Sequence, residues 1–212
     1  MNLEFKPAFP EFSHIKRYVD KQRNIIVAKI LPGEFYVTKQ DEAISTVLGS
    51  CISACIWDEK MGIGGMNHFM LPIKGDSFGV EDWQHDNSYT CRYGLWAMEY
   101  LINEILKYGG YRQNLKVKLF GGGKVLANMT SDVGDKNIVF AQEYIENEGL
   151  EIVSSDVGGT WPRKVLFYPT TGRALVKKLH TTHNDTIQRR ESQYLDKLEQ
   201  PSAEVSQDIE LF

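Results

Sequence analysis

A chain of 212 residues is long enough for one domain with a sizeable core plus extensions. With 42% hydrophobic residues, 25% charged residues and a formal net charge of -4, it has an ordinary globular balance and no electrostatic footprint for nucleic acid. The first residues, MNLEFKPAFPEF, lack a basic-then-apolar layout, so no signal peptide is expected.

Residues 1–24 carry Pro7 and Pro10 and read as an N-terminal extension, partly ordered at best. Asn24 to Ile30 is a largely apolar, strand-like run ended by Pro32-Gly33, and Glu34 to Lys39 follows as a second short strand. Ala43 to Trp57 is the most apolar part of the chain. It is too short for a membrane span, which needs roughly 20 apolar residues. Gly49-Ser50-Cys51 interrupts it, the pattern of two buried segments meeting at a tight turn. Met61 to Leu71 is a further strand, and Ile73 to Asn87 reads as a loop.

Thr90 to Tyr108 predicts a helix, because Leu95, Met98, Ile102 and Ile105 form one apolar stripe and Gly109-Gly110 stops it. Leu115 to Phe120 is a strand leading into Gly121-Gly122-Gly123. Lys136 to Asn147 predicts a second helix, stopped at Gly149, and Glu151 to Val157 another strand. Val165 to Tyr168 and Ala174 to Leu179 form a hairpin around Pro169 to Gly172. From His180 the chain is a polar tail, free or docked as a short helix. About seven strands and two main helices imply an α+β layered sandwich, with a core domain over 25–179 between an extension, 1–24, and a tail, 180–212.

Three cysteines, Cys51, Cys55 and Cys91, cannot all pair, and a cytoplasmic setting with free thiols is expected. Cys51 and His68, 17 positions apart, are the candidates for chemistry. A thiol of pKa about 8.5 needs a base before it attacks a carbonyl, and an imidazole can take its proton and return it to a leaving amine. Gly49 allows close approach to a substrate, and the N–H of Cys51 can then face an oxyanion. A third group normally orients such a histidine. In an extended segment Ser45, Val47, Gly49 and Cys51 share a face. That parity favours Ser45 for this role, with Thr46 its neighbour and rival. Against all this, a cysteine beside Ile52 and Ala54 is ordinarily a packing residue. Cys55 and Cys91 are read that way.

The segments LGSCISACIWD (48–58) and GGMNHFMLP (64–72) resemble the CheD family, the chemoreceptor glutamine deamidases of bacterial chemotaxis. KLFGGGKVL (118–126), the helix start around Asn137, DVGGTWPRKVLFYPTTGRALVKKL (156–179) and DIELF (208–212) continue the resemblance. It implies hydrolysis of glutamine side chains to glutamate on the cytoplasmic helical region of methyl-accepting chemotaxis receptors. Cys51 would be the nucleophile and His68 the base. The family's threonine, six positions before the cysteine, maps to Ser45, with Thr46 adjacent. The resemblance also implies a CheC-type phosphatase as a possible partner and a fold similar to the cytotoxic necrotizing factor catalytic domain.

No cofactor or metal is expected. Gly121-Gly122-Gly123-Lys124 fails the phosphate-loop pattern, since Val125 stands where a hydroxyl is needed and Lys118 where the first glycine falls. It reads instead as a tight turn or close backbone packing. Cys51 with Cys55, His85 with Cys91, and His180 with His183 are isolated pairs without zinc-site spacing. Lys177, Lys178, Arg189 and Arg190 form a basic cluster, a wetted face or a contact for acidic receptor surface.

Overall fold

A computed structural model describes residues 4–71, 89–125, 133–180 and 185–199. The expected loop at 73–87, His85, His183, the terminal DIELF and the Cys91 side chain lie outside the described residues. The elements run β1 (Lys16–Asp20), β2 (Ile25–Lys29), β3 (Phe35–Thr38), β4 (Ala43–Leu48), β5 (Ile52–Asp58), β6 (Ile63–Asn67), α1 (Tyr89–Lys107), β7 (Lys116–Gly121), α2 (Val133–Asn147), β8 (Glu151–Val157), β9 (Arg163–Tyr168), β10 (Arg173–Lys178) and α3 (Asp185–Glu199).

The strands form two five-stranded mixed sheets, ordered β1-β2-β4-β9-β10 and β3-β6-β5-β7-β8. Each is antiparallel except for one parallel pair, β2 with β4 and β7 with β8. The first sheet packs on one face of the second, and α1 and α2 cover the other face. For that reason all seven residues of β5 are buried, and its side chains split by parity. Trp57 meets Phe167 of the first sheet, its ring 6.0 Å away. On the helical side, Phe69, bridged to Ile52, meets Phe140 of α2. The α+β layered arrangement is thus present, with ten strands among the described residues.

Two ends of the chain contribute more order than their composition indicated. β1 pairs antiparallel with β2 from Lys16↔Lys29 to Asp20↔Ile25, and Phe12 and Ile15 enter the main core. At the other end, α3 buries Ile187 and Glu191 and packs Tyr194 against the core. With partly buried Leu198, these positions fall at i, i+4, i+7 and i+11, one face of a helix. A carboxylate therefore stands in an otherwise apolar stripe.

Candidate active site

β4 ends at Leu48 and β5 begins at Ile52, so Gly49, Ser50 and Cys51 link the two sheets. The three carbonyls of this turn are bonded into the scaffold. Gly49 O accepts from Gly123 N–H at 2.7 Å and Cys51 O from Gly122 N–H at 2.8 Å. Ser50 O accepts from Asn137 Nδ2 at 2.9 Å, while Asn137 Oδ1 accepts from Leu71 N–H at 2.9 Å. One fully buried side chain therefore ties the cysteine turn to the segment after His68. Gly121 supports the same turn. Its φ is +116°, and an added Cβ would lie 2.2 Å from Cys51 O, so only glycine fits. The glycine run is close backbone packing, as its failure as a phosphate loop suggested.

The N–H groups of the turn face the Glu191 carboxylate. Oε1 accepts from Gly49 N–H at 2.9 Å and from Cys51 N–H at 3.4 Å. Oε2 accepts from Ser50 N–H at 3.0 Å and from the Ser50 hydroxyl at 2.7 Å. Glu191 has 3% of its surface exposed. Backbone dipoles meet its charge, and no cation pairs with it among the described residues. Gly49 is glycine for want of space: its φ is unexceptional, but a Cβ there would sit 2.6 Å from Glu191 Oε1 and from Val125 Cγ2.

His68 is held from the first sheet. Thr46 Oγ1 lies 2.7 Å from His68 Nδ1, and the same hydroxyl donates to Ile30 O at 2.9 Å. A hydroxyl has one proton, so the imidazole must donate from Nδ1, leaving Nε2 with its lone pair. Nε2 is buried without a hydrogen-bond partner. The hydroxyl that contacts His68 is that of Thr46 and not that of the expected Ser45. In β4, Ile44 and Leu48 enter the core between the sheets, whereas Ala43 belongs to a small cluster on the outer face. Thr46 shares the inner parity and Ser45 the outer one. The alternation cannot be carried on to Cys51, because the strand stops at Leu48 and the chain changes sheets.

Cys51 and His68 come together through an isolated antiparallel bridge. Ile52 and Phe69 exchange both backbone bonds, at 2.9 and 3.0 Å. In that register Cys51 opposes Met70, and His68 is its diagonal neighbour, at a spacing of about 7–8 Å typical of such positions. Both residues lie on the face opposite Ile52 and Phe69, toward the first sheet. Cys51 is fully buried, and burial pushes its thiol well above the usual range; the nearby Glu191 charge and a hydrogen bond to that carboxylate push it further. Burial lowers His68 to about 3. The thiol is therefore protonated and the imidazole neutral in this state. A cavity of about 440 Å³ reaches Thr46 and His68 but stops short of Cys51, with Ile187 and Glu191 of α3 in its wall. Lys16, Lys29, Lys164 and Arg190 also line it.

The family model described as CheD chemotactic sensory transduction matches residues 70–178. A relative from Halorhodospira halophila is 54% identical over 96% of this chain and 92% of its own length. Relatives from Hahella chejuensis and Saccharophagus degradans are 48% and 47% identical, covering 97% and 100% of this chain and 94% and 96% of their own lengths. Each of the three carries the name "Probable chemoreceptor glutamine deamidase CheD". The chain belongs to the CheD family.

Within this CheD chain, the structure gathers Cys51, His68 and Thr46 at one junction between the sheets and leaves Ser45 on the outer face. Of the basic cluster, Arg190 reaches the cavity, while Lys177 and Lys178 lie on β10 and Arg189 is exposed. Cys55 is buried in β5, in keeping with a packing role. The sequence does not reveal the part that two residues, Asn137 and Glu191, play in holding the turn. Asn137 is 87 positions from Ser50 and Glu191 is 140 from Cys51, so no local spacing links them. For Glu191 a signal existed: a carboxylate in an apolar helical stripe. No helix among the described residues is long and apolar enough to cross a membrane.

Proposed function

We propose that this protein hydrolyses the side-chain carboxamides of selected chemoreceptor glutamines to glutamate and ammonia, with Cys51 as nucleophile and His68 as base. The observation that carries the reading is the hydrogen-bond direction at His68. Its Nδ1 proton is engaged by Thr46 and its Nε2 lone pair is free on the face shared with Cys51. The names of its relatives supply the substrate class.

The chemistry follows from these positions. His68 Nε2 takes the thiol proton of Cys51, and the thiolate attacks Cδ of the glutamine. The amide oxygen becomes an oxyanion received by the N–H groups of Gly49, Ser50 and Cys51. His68 then protonates the departing nitrogen, and the C–N bond breaks to release ammonia and leave a thioester. Water loses a proton to His68 and adds to the thioester carbon. The C–S bond breaks, and Cys51 regains a proton as glutamate forms. The reaction converts a neutral amide to an anion on the receptor surface, a change suited to electrostatic tuning of a helical bundle. The cavity's lysines suit a substrate helix that carries acidic residues. A CheC-type phosphatase partner and a likeness to the cytotoxic necrotizing factor catalytic domain belong to the same reading.

Peptide mapping of cytoplasmic receptor fragments tests it. Specific glutamines should gain about one dalton with the wild-type chain and none with Cys51→Ala. Receptor binding with no mass change would show an adaptor, and backbone cleavage would show a protease.

A further inference from the structure

Glu191 is a buried carboxylate on the face of a helix that otherwise buries Ile187 and Tyr194. Its two oxygens take four hydrogen bonds from the Gly49–Cys51 turn, three of them from backbone N–H groups. Its group is the one that deamidation produces, a glutamate side chain, and it is offered from a helix.

We propose that α3 is a tethered product analogue: Glu191 occupies the place of a newly formed glutamate side chain and closes Cys51 until a substrate helix displaces it. The proposal rests on the deamidase reading for the word product, whereas the closure stands on geometry alone.

Several observations converge. The turn offers N–H donors to both oxygens, which suits a carboxylate. An amide in the same position has one acceptor oxygen, and its NH₂ group would face donors. Cys51 has no exposed surface, and its own N–H lies 3.4 Å from Glu191 Oε1. The cavity reaches His68 and Thr46, and Ile187 and Glu191 form part of its wall. Removing α3 would join that cavity to Cys51 while leaving Lys16, Lys29 and Lys164 on its rim.

The attachments of α3 lie along one face of the helix. Ile187 is buried, Tyr194 shares a hydrogen bond with Tyr93 and lies against Gly33, and the carboxylate sits on the turn. A helix held along one face can open without unfolding the domain. Being tethered, it competes at an effective concentration of about millimolar. A free glutamate side chain would compete poorly, whereas a helix that also engages the cavity rim gains further contacts.

The test measures alkylation of Cys51 by iodoacetamide in the full-length protein, beside deamidation of a receptor fragment. Glu191→Ala removes the plug, and Ile187→Asp undocks the helix without touching the turn. Both should alkylate at least about threefold faster than wild type, the gain expected per unit fall in thiol pKa once reduced nucleophilicity is included. Unchanged rates in both variants would overturn the closure. Glu191→Gln places the substrate group at the same point. Cys51 should convert it back to glutamate, a gain of about one dalton at position 191, and Cys51→Ala should prevent this. An amide that persists there while the receptor fragment is deamidated would overturn the product assignment. Faster alkylation without receptor deamidation by any variant would uphold the closure and defeat the deamidase reading. The converse result would do the opposite.

Discussion

Thr46 gives its only hydroxyl proton to Ile30 O at 2.9 Å, and so receives the proton of His68 Nδ1 at 2.7 Å. Through that pair, a carbonyl just after β2 sets which nitrogen of the imidazole carries the proton.

Thr46→Val should therefore lower kcat in receptor deamidation by about 10²-fold or more, because Nδ1–H loses its acceptor and the tautomer is no longer fixed. KM should change little. Thr46→Ser keeps the oxygen and should restore most of the rate. Ser45→Ala should stay within about twofold of wild type. A larger loss from Ser45→Ala than from Thr46→Val would return the orienting role to Ser45.

His68 also makes the fold acid-sensitive. Its folded pKa, about 3, lies below the unfolded value of 6.5, so between these values the unfolded chain binds a proton that the folded chain refuses. Its contribution to stability is present above pH 6.5 and is lost as pH falls. At pH 5 the loss from this group is about 2 kcal/mol. Urea midpoints measured from pH 7 to 4 should fall more steeply for wild type than for His68→Gln. Parallel curves would show that His68 is solvated.

Asn137→Ala should destabilise by about 2–4 kcal/mol, since it leaves both Ser50 O and Leu71 N–H buried without a partner. Asn137→Asp retains the acceptor for Leu71 but not the donor for Ser50. It should be intermediate in stability, yet as poor as Asn137→Ala in turnover. Equal turnover by wild type and Asn137→Asp would show that the turn does not need this clamp.

The Cys51 thiol is raised by burial and by Glu191, so its alkylation rate in the wild type should climb through pH 9 without a plateau. The thiolate is the reactive form, and its fraction grows as pH approaches the thiol pKa from below. In Glu191→Ala the curve should level off at lower pH. Superimposable profiles would mean that the carboxylate does not control the thiol.

Local pattern made much of this legible. The stripe of Leu95, Met98, Ile102 and Ile105 located α1 within one residue at each end, Glu151–Val157 matched β8, and the Pro169–Gly172 turn located the β9–β10 hairpin. Cys51 and His68 stand out as candidates because their segments are distinctive. β1 was hidden because KRYVD is polar and lies at a sheet edge, where it needs no apolar face. Ser45 was preferred to Thr46 by extending one strand's alternation across a turn at which the chain changes sheets. Glu191 falls in a tail whose sequence leaves open whether it is free or docked as a short helix, because its partner lies about 140 positions away and helix periodicity alone cannot reveal what a buried charge faces.

The Gly49–Cys51 turn has one more consequence. With its three carbonyls bound by Gly123, Asn137 and Gly122, and its N–H groups facing outward from the scaffold, the turn is a small array of aligned peptide dipoles. Their orientation is fixed when the domain folds, not when charge develops on a reacting carbonyl, so no reorganisation is required at the moment of bond formation. In the proposed mechanism Gly121 and Asn137, which hold the turn's carbonyls rather than its N–H groups, would act on the barrier height through the field they keep in place.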